Sequence, residues 1–133
     1  MDHIRMILLI AMVFCHIIDD YYLQGILATM KQRGWWKNNC PDKKYRHDYI
    51  AALVAHSVSW AISITLPLTV YAFINHTEQV LPFIVGSIVA NAIIHGIIDN
   101  MKANQKSINL CQDQIAHVCQ IVITWGIFGL IKL

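Results

Sequence analysis

Residues 80–100 read VLPFIVGSIVANAIIHGIIDN, an apolar run into which Asn91, His95 and Asp99 are set at intervals of four. In an α-helix that interval stacks side chains on one face, one turn apart. A helix rising 1.5 Å per residue crosses about 30 Å of hydrocarbon in roughly 20 residues, so this run is long enough to span a bilayer. A charged side chain facing lipid would cost at least about 2.5–3.5 kcal/mol, so its polar stripe is expected to face the inside of a bundle.

Working outward, the same interval recurs. His16 and Asp20 are four apart and Gln24 continues their stripe; Asp113 and His117 are four apart in a later run; His56 stands alone in another. The four apolar segments are 4–30, 49–74, 80–98 and 108–131. Their continuous apolar character lacks the alternation of a membrane β-barrel, which excludes that architecture. Pro67 is expected to bend the second helix, and Pro82 falls in the first turn of the third, where a missing N–H costs little. The fold class is therefore all-α: one domain, a polytopic membrane protein built as a four-transmembrane-helix bundle.

Composition agrees. Of 133 residues, 56% are hydrophobic and 14% charged, and the mean hydropathy is +0.48, too apolar for an ordinary soluble domain. The net charge of +2 gives no reason to expect a nucleic-acid partner. Its distribution is more informative. Lys31, Arg33, Lys37, Lys43, Lys44 and Arg46 lie between the first two segments and Lys102 and Lys106 between the last two, whereas the turn 75–79 has no Lys or Arg. The positive-inside rule then puts both basic connections in the cytoplasm and both termini outside. Cys15, Cys40, Cys111 and Cys119 form no Cys-x-x-Cys pair and read as packing residues.

In this arrangement His16, Asp20, His56, His95, Asp99, Asp113 and His117 all fall at the midplane or on its cytoplasmic side. Imidazole nitrogen and carboxylate oxygen suit a divalent metal, Zn²⁺ first, with Mn²⁺ or Fe²⁺ as alternatives, and seven donors are enough for one ion or two. Such ions activate water and clamp phosphoryl oxygens, so a phosphoester hydrolase is expected, with Asp20, Asp99 or Asp113 available as catalytic base. Gln24, Asn91 and Gln114 are placed to orient ligands by hydrogen bonds. Asp19 points about 100° from Asp20 on an ideal helix and is expected to support the site or its rim rather than to ligate. Lys31, Lys44, Arg46 and Lys102 are expected on the rim, binding an anionic, phosphate-containing substrate such as a lipid phosphate or nucleotide.

The ordered set His16-x-x-x-Asp20-x-x-x-Gln24, Lys31, His56, His95-x-x-x-Asp99-x-x-Lys102 and Asp113-Gln114-x-x-His117 resembles the small polytopic membrane proteins of bacteria and phages grouped as domain of unknown function 3307. The resemblance covers nearly the whole chain. It implies a multi-pass protein of the bacterial inner membrane and a metal-dependent hydrolase. The repeated His-x-x-x-Asp is also similar to the all-helical zinc phospholipase C and nuclease group, although the N-terminal Trp ligand of that group has no counterpart here. Two other classes fit the same residues: a metal-ion or proton transporter or channel, and a small effector that binds a host membrane protein. Besides the lipid bilayer, a homodimer is a reasonable partner state for four short helices.

Overall fold

The computed structural model describes residues 2–132. It is 87% helical, with no strand among the described residues. Helix α1 (Asp2–Ile18) continues into a wider π-helical turn (Asp19–Leu23), and the chain reverses at Gly25, whose φ of +46° lies in the left-handed region that glycine tolerates. Two short helices follow, α2 (Leu27–Met30) and α3 (Arg33–Asn39). Then come α4 (Asp48–Ile74), α5 (Leu81–Asn100), which also runs into a π turn (Met101–Gln105), and α6 (Leu110–Lys132). Helix α4 continues through Pro67, and Pro82 occupies the first turn of α5.

Four helical runs are long and apolar enough to cross a membrane: His3–Leu23, Lys43–Ile74, Leu81–Gln105 and Leu110–Ile131. The first departs from the expected 4–30. The π turn and Gly25 end it at Leu23, and 27–30 fold back as a separate turn of helix.

Within these runs the usual distribution of side chains is reversed. Only 22–39% of each apolar window is buried, and residues such as Ile7, Phe14, Val85, Ile93, Ile123 and Leu130 point outward. The interior holds His56, His95, Asp99, Asp113 and His117, each at most 1% exposed. Water-soluble domains bury apolar groups and keep carboxylates outside; an apolar exterior on this scale is compatible with a membrane protein.

The core has two halves. Met12, Ile64, Leu68, Val80, Ile84, Ile121 and Phe128 fill one with apolar contacts. The other holds the ionisable groups carried by the end of α1, the first turns of α4, the end of α5 and the start of α6. Trp60, fully buried, closes the boundary. At the far end, Trp125 Nε1 donates to the Arg5 carbonyl (2.8 Å), tying the start of α1 to α6.

Helices α4 and α5 approach closely at Gly96, where a Cβ would meet Ser57 Oγ at 3.0 Å. Gly96→Val is therefore expected to force the two helices apart and to destabilise by about 1–3 kcal/mol. Gly86→Ala, with open space around it, should be near neutral. Thermal unfolding in detergent followed by circular dichroism measures the difference.

Candidate metal centre

Four elements each contribute donors to the polar half of the core: Asp20 from the first π turn, His56 from α4, His95 and Asp99 from α5, and Asp113 and His117 from α6. They form three overlapping groups in which one ligand atom per residue lies within 4.8 Å of the others: Asp20, His56 and His95; His95, Asp99 and His117; and Asp20, Asp113 and His117. His56 Nε2 lies 3.4 Å from Asp20 Oδ1, 3.4 Å from Asp99 Oδ2 and 3.1 Å from His95 Nε2. His117 Nε2 lies 3.4 Å from Asp113 Oδ1 and 3.7 Å from Asp99 Oδ1. The edge of a tetrahedron with bonds of about 2.1 Å is about 3.4 Å, so these separations match those of donors around one ion.

The supporting hydrogen bonds aim lone pairs inward. Gln120 Oε1 sits 3.3 Å from His117 Nδ1 and Gln120 Nε2 donates to Asn91 O and Oδ1 (both 3.2 Å), which makes Gln120 Oε1 the acceptor for the proton on His117 Nδ1. Asn91 in turn donates to Thr124 Oγ1 (2.8 Å). In the neutral ring a proton on Nδ1 would leave Nε2 bare toward Asp99 and Asp113. Lys31 Nζ and Lys102 Nζ each lie 2.5 Å from one oxygen of those carboxylates, Asp99 Oδ2 and Asp113 Oδ2. His117 Nε2, Asp99 Oδ1 and Asp113 Oδ1 are all buried without a hydrogen-bond partner among the described residues. Buried polar atoms are rarely left in this state, and a cation beside them would satisfy them. The donor set thus fits a divalent metal, and its hard and borderline ligands suit Zn²⁺, Mn²⁺ or Fe²⁺.

His16, expected as a ligand, is committed elsewhere. Trp60 Nε1 donates to its Nδ1 (2.8 Å), so the neutral ring carries its proton on Nε2, which faces Gln114 Oε1 at 3.2 Å. Gln114 then donates to Asp20 Oδ2 (2.9 Å) and Asp113 Oδ2 (3.1 Å). His16 and Gln114 therefore hold carboxylates in place, and His16 stands outside the three donor groups. Asn91 acts through Gln120 on His117. Gln24 does not reach the carboxylates: its amide donates to the Asp20 backbone carbonyl in the π turn.

Asp19 is 1% exposed rather than on the rim, because the wider π turn brings it inward together with Asp20. Its Oδ1 accepts from Ser59 Oγ (2.8 Å) and Ser63 Oγ (2.9 Å), and its Oδ2 lies 3.9 Å from His56 Nδ1. That places a carboxylate behind a donor imidazole, beyond hydrogen-bond distance of it.

The four lysine and arginine positions expected on the rim divide. Lys31 is not on the rim: the chain folds back through α2, buries its side chain to 7% exposure and points it at Asp99. Lys102, on the second π turn, pairs with Asp113 while keeping 29% exposure, so it stands between the site and solvent. Lys44 is exposed, its Nζ 4.7 Å above the Tyr45 ring, and Arg46 lines a surface groove described below.

Reasoning from the sequence did not identify Trp60, Gln120, Thr124, Ser59 or Ser63. Trp60 stacks on His95 (centroids 4.2 Å, planes 22° apart), which itself stacks on His117 (4.1 Å, 26°). The signal was present in the spacing: Trp60 follows His56 by four, Gln120 follows His117 by three, and Ser63 follows Ser59 by four.

Four carboxylates (Asp19, Asp20, Asp99, Asp113) face two ammonium groups (Lys31, Lys102), so with neutral imidazoles the cluster carries two negative charges. In chelated protein, Asp99→Asn leaves Lys31 buried beside a neutral group and is expected to destabilise by about 3–5 kcal/mol. Trp60→Phe, which keeps a ring but loses the hydrogen bond to His16, should cost about 1 kcal/mol. Unfolding midpoints of the two variants against the parent check the ranking. Comparison of the chain with family models, with curated proteins and with solved structures gives no match, so the functional reading rests on this geometry.

Proposed function

We propose that this chain is a membrane-embedded, metal-dependent phosphoester hydrolase whose site opens toward the cytoplasm. The observation that supports the reading is the gathering of buried donors into three overlapping groups, Asp20, His56 and His95; His95, Asp99 and His117; and Asp20, Asp113 and His117, with His117 Nε2, Asp99 Oδ1 and Asp113 Oδ1 lacking a hydrogen-bond partner among the described residues. Asp20, His56, His95, Asp99, Asp113 and His117 would hold a divalent ion, which would supply Lewis acidity toward a phosphoryl oxygen and activate water.

The remaining work falls to side chains. Asp20 makes no ion pair with a lysine among the described residues; with an ion on His95, Asp99 and His117, Asp20 would not ligate and would be the carboxylate available to take a proton from the attacking water. Lys102, the more exposed of the two paired lysines, is placed to turn from Asp113 to a phosphoryl oxygen as substrate arrives. Trp60 and the apolar half of the core exclude water from the far side. All six donors come from one chain, so the reading needs no second copy. The basic residues at 31–46 and 102–106, by the positive-inside rule, favour a cytoplasmic opening in a bacterial inner membrane.

Ion or proton transport draws on a specific observation as well, the contact of His56, His95 and His117 rings in series. Against it, the buried His and Asp residues stop at Trp60, and Ile64, Leu68, Ile121 and Phe128 fill much of the space beyond.

Hydrolysis by purified protein is tested on phospholipids, isoprenoid phosphates and nucleotides with Zn²⁺ or Mn²⁺ added back after chelation. His95→Ala and Asp113→Ala are expected to lower the rate at least about 100-fold with helix content retained. Cation flux into liposomes without turnover of any of these substrates would replace the hydrolase reading with transport.

A further inference from the structure

Beside the metal centre, the segment after α2 and the second π turn enclose a surface groove of about 610 Å³. Arg33, Lys37, Lys43, Arg46 and Lys106 line it, with Trp36 as an aromatic wall. Asp42 is the acidic residue among the described lining residues, so the groove carries a large positive excess.

The groove is built rather than incidental. Trp36 is fixed by donating its Nε1–H to the Met30 carbonyl (2.6 Å) and by stacking on Tyr45 (6.3 Å, 28°). Asn104, also at its wall, accepts from the Arg33 backbone N–H (2.7 Å) and donates to the Lys31 carbonyl (3.1 Å). Lys31 is the residue whose ammonium holds Asp99. One short stretch, 31–33, therefore forms a wall of the groove and a support of the metal centre. Five cations line one concave surface, and guanidinium and ammonium donors on different elements match the several oxygens of a phosphate.

We infer that this groove is a phosphate-binding site, taking a phosphomonoester or diphosphate group from the cytoplasmic side. As the seat of a phosphate on the substrate, it rests on the hydrolase reading; as a binding site, it stands without it. The bound group is either free in solution, as in a nucleotide, or the head of a lipid, and the chemistry of recognition is the same.

The test uses the full chain in nanodiscs of zwitterionic lipid, with a chelator present so that binding is read apart from catalysis. Inorganic pyrophosphate is titrated calorimetrically, with Trp fluorescence as a second readout. One site per chain is expected, weakened at least tenfold in the Lys43→Gln/Arg46→Gln double variant, both exposed positions outside the metal centre. A second arm replaces a tenth of the lipid with phosphatidic acid or with phosphatidylglycerol and measures protection of Trp36 from an aqueous quencher. Saturable pyrophosphate binding supports the site with a soluble ligand; protection by phosphatidic acid but not phosphatidylglycerol supports it with a lipid one. Binding that the double variant leaves unchanged overturns the inference, as does the absence of saturable pyrophosphate binding together with equal or no protection by the two anionic lipids. Loss of hydrolysis with pyrophosphate binding intact would instead count against the hydrolase reading alone.

Discussion

Four carboxylates share the inside of a narrow helical bundle whose outside is apolar, and their mutual repulsion governs the rest of the structure. Asp19, Asp20, Asp99 and Asp113 are each at most 5% exposed, beyond the reach of bulk water to screen them. The fold answers with every device that the chemistry allows. Two lysines reach in from connecting segments, two serines and a glutamine donate to carboxylate oxygens, and imidazoles stand within 3.4–3.9 Å. With neutral imidazoles two negative charges remain, a balance that a divalent cation would complete.

The apolar half of the bundle is what makes the polar half possible. With α4 packed against α1 and α5 through Trp60, Ile64 and Leu68, the helices are fixed in rotation and depth, so donors from four elements arrive at one level. The π-helical departures from ideal helix fall at the site. Both π turns, Asp19–Leu23 and Met101–Gln105, carry residues that the centre uses: Asp19 and Asp20 in one, Lys102 in the other. Such turns widen the helix by one residue and re-aim side chains, and they are found frequently at functional sites.

How much of this the sequence disclosed follows from what each signal measures. Intervals of four are a property of an ideal helix, so His95 with Asp99 and Asp113 with His117 could be read directly, as could the four apolar runs. The fate of Asp19 could not, because a π turn changes the angle between neighbours and nothing local in DDYYL announces it. Lys31 read as a rim residue because its segment looked like the end of a long helix; the reversal at Gly25 that turns it inward depends on tertiary packing. His16 illustrates a different limit. Its position on the correct face was legible, but its role depends on which partners claim its two nitrogens, and Trp60 and Gln114 come from other helices.

The central claim is that a divalent ion, rather than hydrogen bonding alone, completes this interior. Metal content of protein purified without added metal or chelator, measured by inductively coupled plasma mass spectrometry against amino-acid analysis, addresses it directly. One or two equivalents of Zn²⁺, Mn²⁺ or Fe²⁺ per chain, falling below a tenth of that in His117→Ala at retained helicity, is the expected result. A folded parent protein that holds no divalent metal and takes none up on reconstitution would contradict the account.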